Sequence, residues 1–210
     1  MNLISFSLWG SDPKYCEGAY QNALLAMQYF PSYVCRFYYD DSVPEETLYR
    51  IGTLPNIELV HEQPNRGIYG MFWRFRPLVE EGLKVCLVRD CDSRLSFRDQ
   101  RMVEEWLRTD YQFHVIRDHE HHNIQILGGT FGFRNLHDWI TDTHFPWEDS
   151  RIRTQNKGDD QFWLRDFVYP HVKHSLLSHD RFGYGYMYGD KEVRKMPLKD
   201  NEDFVGKIYE

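Results

Sequence analysis

The stretch Lys84-Val85-Cys86-Leu87-Val88-Arg89-Asp90-Cys91-Asp92 sets four consecutive apolar residues against two aspartates one residue apart. A short, unbroken apolar run is the mark of a strand buried on both faces, as in parallel sheets. Two carboxylates displayed at the end of such a strand carry a desolvation cost unless something positive binds them. A bare Asp-x-Asp is common by chance, so the weight lies in its position. Carboxylate oxygens suit Mg²⁺ or Mn²⁺, and an added imidazole favours Mn²⁺. The competing reading is a solvated turn paired by Arg89 and Arg94.

Upstream of that strand the chain alternates. Leu3 to Leu8 reads as a strand, closed by Gly10-Ser11-Asp12-Pro13, and Tyr15 to Tyr29 is rich in good helix formers and stops before Pro31. Val34 to Tyr39 is a second strand ending in Asp40-Asp41, Glu45 to Ile51 a helical turn, and Ile57 to His61 a third strand. Gly70 to Glu81 has helical spacing of its apolar residues despite Pro77. Downstream, a helix is expected near Gln100 to Leu107, a strand at Phe113 to Arg117, a glycine-rich strand at Gly128 to Phe133 and a helix at Asp160 to Phe167. Asp149 to Gly158 is polar enough for a loop. This alternation argues for an α/β fold with a mainly parallel sheet, whose ligands bind beyond the carboxyl ends of the strands. Three such ends carry polar turns: Trp9-Gly10, Asp40-Asp41 and Asp90-Cys91-Asp92.

The chain has 210 residues, a length that suits one domain with a sizeable core. Its formal charge of −7 argues against nucleic acid or anionic membrane as the main partner. No apolar run approaches the roughly 18 residues of a membrane helix, and the start lacks a basic leader. Cysteines 16, 35, 86 and 91 show no zinc-type spacing and fit buried thiols in a reducing compartment, so the cytoplasm is the expected location. Fourteen Tyr, fourteen Phe and six Trp could build an aromatic core or a site that stacks rings on a base or sugar.

The ordered set Arg74-Phe75-Arg76-Pro77, Lys84 to Val88, Asp90-Cys91-Asp92, Gly128-Gly129, Asp160-Gln161 and His179 resembles the metal-dependent GT-A glycosyltransferases. The likeness is to their retaining branch, which includes glycogenin and the bacterial lipopolysaccharide galactosyltransferases. Arg117-Asp118-His119 with His122 and Gly128-Gly129 also resembles glycosyltransferases of microbes and large DNA viruses, including the N-terminal domain of a multidomain chlorella-virus protein. On that likeness the chain would be a piece of a longer one, in the host cytoplasm. Arg89 before the first aspartate, the Arg-to-Pro spacing and Asp180-Arg181-Phe182-Gly183 after the histidine depart from the branch pattern.

The resemblance implies one GT-A domain over 1–210: a nucleotide-binding half at 1–95, an acceptor-side half at 96–185 and a tail at 186–210. It implies transfer of a hexosyl-type sugar from a nucleotide sugar, UDP-linked in that branch, to a glycan acceptor with Mn²⁺ or Mg²⁺ and retention of configuration. Asp90, Asp92 and His179 would hold the metal; Asp160, Gln161 and Arg74 would be catalytic. Leu8, Trp9, Gly10, Asp40, Asp41, Arg74, Asp90, Cys91, Gly128 and Gly129 would contact the donor, and His119 and His122 the acceptor. From the residues alone, Arg74 could equally pair with Glu80 or Glu81, and Asp40 could serve a turn. Two other functions compete. A haloacid-dehalogenase-type phosphatase also places Asp-x-Asp after a buried strand, with Lys157-Gly158-Asp159-Asp160 mimicking its later acidic motif. The other is a non-catalytic sugar- or nucleotide-binding module.

Overall fold

The computed structural model describes residues 1–62, 67–134, 156–196 and 203–209. Eight strands form one sheet in the order β3-β2-β1-β4-β6-β5-β7-β8. They are β1 (Asn2–Leu8), β2 (Val34–Tyr39), β3 (Ile57–His61), β4 (Val85–Arg89), β5 (Phe113–Arg117), β6 (Thr130–Phe133), β7 (Leu176–Asp180) and β8 (Glu192–Lys195). All neighbours are parallel except β6, which runs antiparallel to both β4 and β5. The chain steps outward from β1 through β2 to β3, then returns to β4 on the other side of β1. The connections that follow β1 and β4 therefore lead toward opposite edges of the sheet, and such a switch in strand order is where α/β sheets bind ligands.

Alternating side chains sort the strands into two cores. Leu3, Cys86, Val88, Phe113, Val115 and Phe131 face one way, onto Phe72, Phe75 and Trp163. Ile4, Phe6, Leu8, Phe37 and Leu87 face the other way, onto Ala19, Ala23, Ala26 and Trp106. The first layer consists of a 3₁₀ segment at Gly67–Val79 and a helical run from Asp159. The second contains α1 (Pro13–Tyr29), α2 (Glu45–Gly52) and α3 (Phe97–Leu107). α1 starts where its sequence says it should: Asp12 caps it by accepting from the Lys14 amide at 2.9 Å, and Pro13 occupies the first turn.

Three expectations need correction. The helix expected over Gly70 to Glu81 is a 3₁₀ segment over Gly67–Val79 with Pro77 inside it. The helix from Asp159 is α4 (Asp159–Trp163), passes through a π turn at Leu164–Val168, and ends as α5 (Tyr169–Val172). The glycine-rich strand begins at Thr130, leaving Gly128 and Gly129 in the loop that enters it. β7 and β8 were not foreseen, and neither was α6 (Tyr184–Tyr188). The polar loop expected at Asp149 to Gly158 lies mostly outside the described residues. Among the described residues no helix is long and apolar enough to cross a membrane.

Candidate functional site

Arg74 is the centre of the crevice. Its backbone is seated by two serines of β1: the Ser5 hydroxyl donates to its carbonyl at 2.8 Å, and its amide donates to Ser7 Oγ at 2.9 Å. Ser5 and Ser7 share a strand face with Leu3, so both point at the 3₁₀ segment. The guanidinium then reaches two carboxylates from distant parts of the chain. One nitrogen pairs with Asp90 Oδ1, and Nη2 donates to Asp160 Oδ2 at 2.7 Å. Burial works against the Arg74 charge, but Asp90 and Asp160 outweigh it and raise the pKa above the usual arginine value. Its Nε is buried with no hydrogen-bond partner among the described residues.

The glycine pair explains itself here. A Cβ on Gly128 would lie 2.5 Å from Arg74 Nη2 and 2.6 Å from Asp160 Oδ2. A Cβ on Gly129 would lie 1.9 Å from Asp90 Oδ2. Real Cβ atoms do not approach this closely, so only glycine lets the loop lie against the charged cluster.

The loop after β4 is held rigidly by groups that sequence reading passed over. Asn22 of α1 donates to the Ser93 carbonyl at 2.8 Å and accepts from the Leu95 amide at 2.9 Å. Gly18 lets α1 pass, since a Cβ there would sit 1.9 Å from the Cys91 carbonyl oxygen. The Tyr209 amide donates to the Asp92 carbonyl at 2.8 Å, so the segment 203–209 braces the loop from the other side. Arg89 and Arg94 do not pair the aspartates. Arg89 is buried against Asp99 at 2.7 Å, and Arg94 donates to the carbonyls of Cys91 and Ser93.

Asp92 carries the electrostatic signature of an incomplete site. Burial raises its carboxyl pKa, the neighbouring Asp90 charge raises it further, and Lys14 and Arg74 only partly offset this. The Lys14 ammonium stands 3.6 Å from Asp92 Oδ2. Burial likewise raises the Asp160 carboxyl, against the pull of Arg74. A divalent cation fits this excess of buried negative charge, and Asp90 and Asp92 are the residues that would hold it.

His179 does not complete a metal shell. It lies on β7 with the parity of Leu177, which faces the α3 layer, whereas Arg74 lies in the opposite layer. Its Nδ1 is 2.7 Å from His114 Nε2, and its Nε2 is 3.3 Å from Glu105 Oε2 of α3. Burial lowers the pKa of both imidazoles. Among the described residues no group of three His, Cys, Asp or Glu side chains could hold a metal ion. His179 therefore gives no reason for favouring Mn²⁺ over Mg²⁺.

The remaining candidates divide. Trp9 stands at the end of β1 with its ring edge-on to Trp73 at 6.3 Å, and Gly70 leaves room for it. Asp40 is buried and closes a turn: its Oδ1 accepts from the Ser42 amide at 3.1 Å, and Ser42 Oγ accepts from the Gly10 amide at 2.7 Å. This ties the ends of β1 and β2 together. Asp41 is exposed and sits 2.8 Å from His61 Nε2, a surface pair at the sheet's edge. Leu8 is a core side chain, and Cys91 is buried with Sγ directed to the Ser7 carbonyl at 3.3 Å, so neither side chain is offered to a ligand. Burial pushes the Cys91 thiol well up, which keeps it inert. Asp160 joins the cluster, whereas the contact to Arg74 is made by Asp160 and not by Gln161.

Of the acceptor-side histidines, His122 is buried and His119 half-buried. His122 accepts from the Asp118 amide at 3.2 Å; its neighbour Phe204 stacks on His119 at 4.3 Å. Burial, reinforced by His119, lowers the His122 pKa to about 4, so the ring is neutral at ordinary pH. A buried neutral histidine under the 203–209 segment is a packing group, which corrects the expectation of an open acceptor contact.

No family model matches the chain, and the curated proteins contain no match either. Solved structures do match in fold. A glycosyltransferase involved in glycosylating the major capsid protein of PBCV-1 aligns over 91% of this chain and 89% of its own at 12% identity, with a TM-score of 0.55. TarS of S. aureus, residues 1–349, aligns over 89% of this chain and 62% of its own at 12% identity and a TM-score of 0.55. The galactosyltransferase LgtC reaches 17% identity over 94% of this chain and 84% of its own, with a TM-score of 0.49. The chain therefore has a GT-A fold, an α/β fold with a mixed, mainly parallel sheet flanked by helices.

Proposed function

We propose that this protein is a glycosyltransferase that moves a hexosyl-type sugar from a UDP-linked donor to a glycan acceptor, with retention of the anomeric configuration. The observation that carries the reading is Arg74 bridging Asp90 and Asp160 beneath Gly128-Gly129, at the switch point of the sheet. Trp9 and the Asp40 turn lie at the adjacent strand ends, where base and ribose would sit. The diphosphate would then meet Asp90, Asp92 and Arg74. Mn²⁺ or Mg²⁺ held by Asp90 and Asp92, when bound, supplies Lewis-acid stabilisation of the leaving diphosphate.

The protein's own groups do the rest. Arg74 presents a planar donor fork to anionic oxygens, holding Asp90 and Asp160 on either side of it. Transfer breaks the bond from the anomeric carbon to the phosphate oxygen and forms one to the acceptor oxygen. The departing phosphate accepts the acceptor hydroxyl's proton. Asp160, held in place by Arg74, offers negative charge to the oxocarbenium-like centre that develops between the two events. Gly128-Gly129 lets the loop backbone lie against Arg74, Asp90 and Asp160, so the charged groups keep the arrangement that faces the donor.

Thermal-shift screening against UDP-, GDP- and dTDP-sugars, with and without Mn²⁺, tests the reading. A cation-dependent shift confined to uracil nucleotides is expected. No shift with any of the three would contradict it. The anomeric proton coupling of the product, read by NMR, tests retention: the opposite anomer would overturn that part alone.

A further inference from the structure

Lys14 is a cation in the crevice held, among the described residues, by a single loose ion pair with Asp92. It is the second residue of α1, in a first turn that contains no acidic residue, so a positive charge there opposes the helix macrodipole. Local helix energetics therefore give no reason for a lysine at this place. Its ammonium lies 3.6 Å from Asp92 Oδ2, close enough for an ion pair but beyond hydrogen-bond reach. The ammonium also stands over the Tyr15 ring, 5.1 Å from the centroid. The side chain is 27% exposed on the crevice side of α1, whereas the Asp92 side chain is 11% exposed. A cation bound at Asp90 and Asp92 would displace the ammonium electrostatically, and the flexible lysine stem lets it swing to whatever anion arrives with that cation.

We infer that Lys14 is a substrate-contacting residue that exchanges its pairing with Asp92 for the diphosphate of the donor. The inference rests on the nucleotide-sugar reading above and deepens it. In the donor-free protein Lys14 partly neutralises Asp92. In the loaded protein it binds the leaving group's phosphate oxygens, on the α1 side of the crevice opposite Arg74. The same residue therefore competes with the metal and assists the diphosphate.

That dual role predicts effects of opposite sign. Mn²⁺ alone is titrated by water-proton relaxation, and inorganic pyrophosphate by calorimetry at saturating Mg²⁺, on the parent, K14M and K14R. K14M should bind Mn²⁺ a few-fold more tightly, since a competing ion pair is removed. It should bind pyrophosphate about tenfold more weakly, since a charge-assisted contact is lost. K14R should restore most of the pyrophosphate affinity. Damage to the loop around Asp92 would instead weaken both ligands together, and that result overturns the inference. Unchanged pyrophosphate binding in K14M, with the parent binding both ligands, also overturns it and leaves the nucleotide-sugar reading standing. A parent that binds neither Mn²⁺ nor pyrophosphate removes that reading and the role of Lys14 with it.

Discussion

Replacing Arg74 by Met removes the cation that holds together the half-buried carboxylate of Asp90 and the nearly dry one of Asp160. The Arg74 side chain is 9% exposed and that of Asp160 5%. Removing one partner of a buried ion pair costs about 3–5 kcal/mol, because the charge left behind is uncompensated. The protein has one escape, which is to protonate Asp160. Holding that carboxyl neutral costs about 1.4 kcal/mol for each pH unit above its unfolded pKa near 3.9. The escape therefore costs about 5–6 kcal/mol at pH 8, more than the charge penalty, and only about 1.5 kcal/mol at pH 5. The sign follows: the variant's Asp160 has a folded pKa raised above its unfolded one, so the variant gains stability relative to the parent as pH falls. Urea denaturation followed by tryptophan fluorescence at both pH values measures this. R74M should lose about 3–5 kcal/mol at pH 8 and about 1.5 kcal/mol at pH 5, and R74M/D160N should recover part of the loss at pH 8. A loss below about 1 kcal/mol, the worth of an exposed pair, or the same loss at both pH values, would refute the claim that Arg74 neutralises a buried cluster.

Gly129→Ala places a Cβ where Asp90 Oδ2 now lies; thermal denaturation should show an overpacking cost of about 1–3 kcal/mol, with loss of nucleotide-sugar binding. Asp92→Asn removes a carboxylate whose ionisation burial already disfavours, so the cation-free protein should be no less stable, while its stabilisation by Mn²⁺ disappears in a thermal-shift assay. In the parent, the raised Asp92 pKa means protons compete with the cation at higher pH than for an ordinary aspartate, so the Mn²⁺-induced shift should shrink as pH falls toward the carboxylate range. His179→Ala should lower stability by emptying a buried site between His114 and Glu105, yet leave Mn²⁺ affinity unchanged by relaxation titration.

The strands that sequence reading found are mostly apolar in composition, although β1 also buries Ser5 and Ser7 and β5 buries His114 and Arg117. β2, β3 and β5 were found with their observed limits, and β1 and β4 to within one residue. β7 escaped because Leu176-Leu177-Ser178-His179-Asp180 is fully buried yet three-fifths polar. Two of its polar groups find partners far away in sequence, His179 in His114 and Asp180 in Arg117, while Asp180 also accepts from the nearby amides of Phe182, Gly183 and Gly185. Missing the strand had a consequence, since strand parity is what turns His179 away from Asp90 and Asp92. The glycine pair, Arg74, Asp90 and Asp160 were legible as a sequence order, while their mutual contacts were not. Ser5 and Ser7, two residues apart in a buried strand, were the available signal for the seat of Arg74. Lys14 and Asn22 left no signal, because their importance comes from α1 crossing the loop after β4.

The most direct test is release of nucleoside diphosphate from a nucleotide sugar, followed by a coupled assay in the presence and absence of Mn²⁺ for the parent and for D90N. The account predicts release by the parent that requires the divalent cation and is lost in D90N, which keeps its fold by circular dichroism. Release of inorganic phosphate in its place, or undiminished nucleoside diphosphate release by D90N, would contradict it.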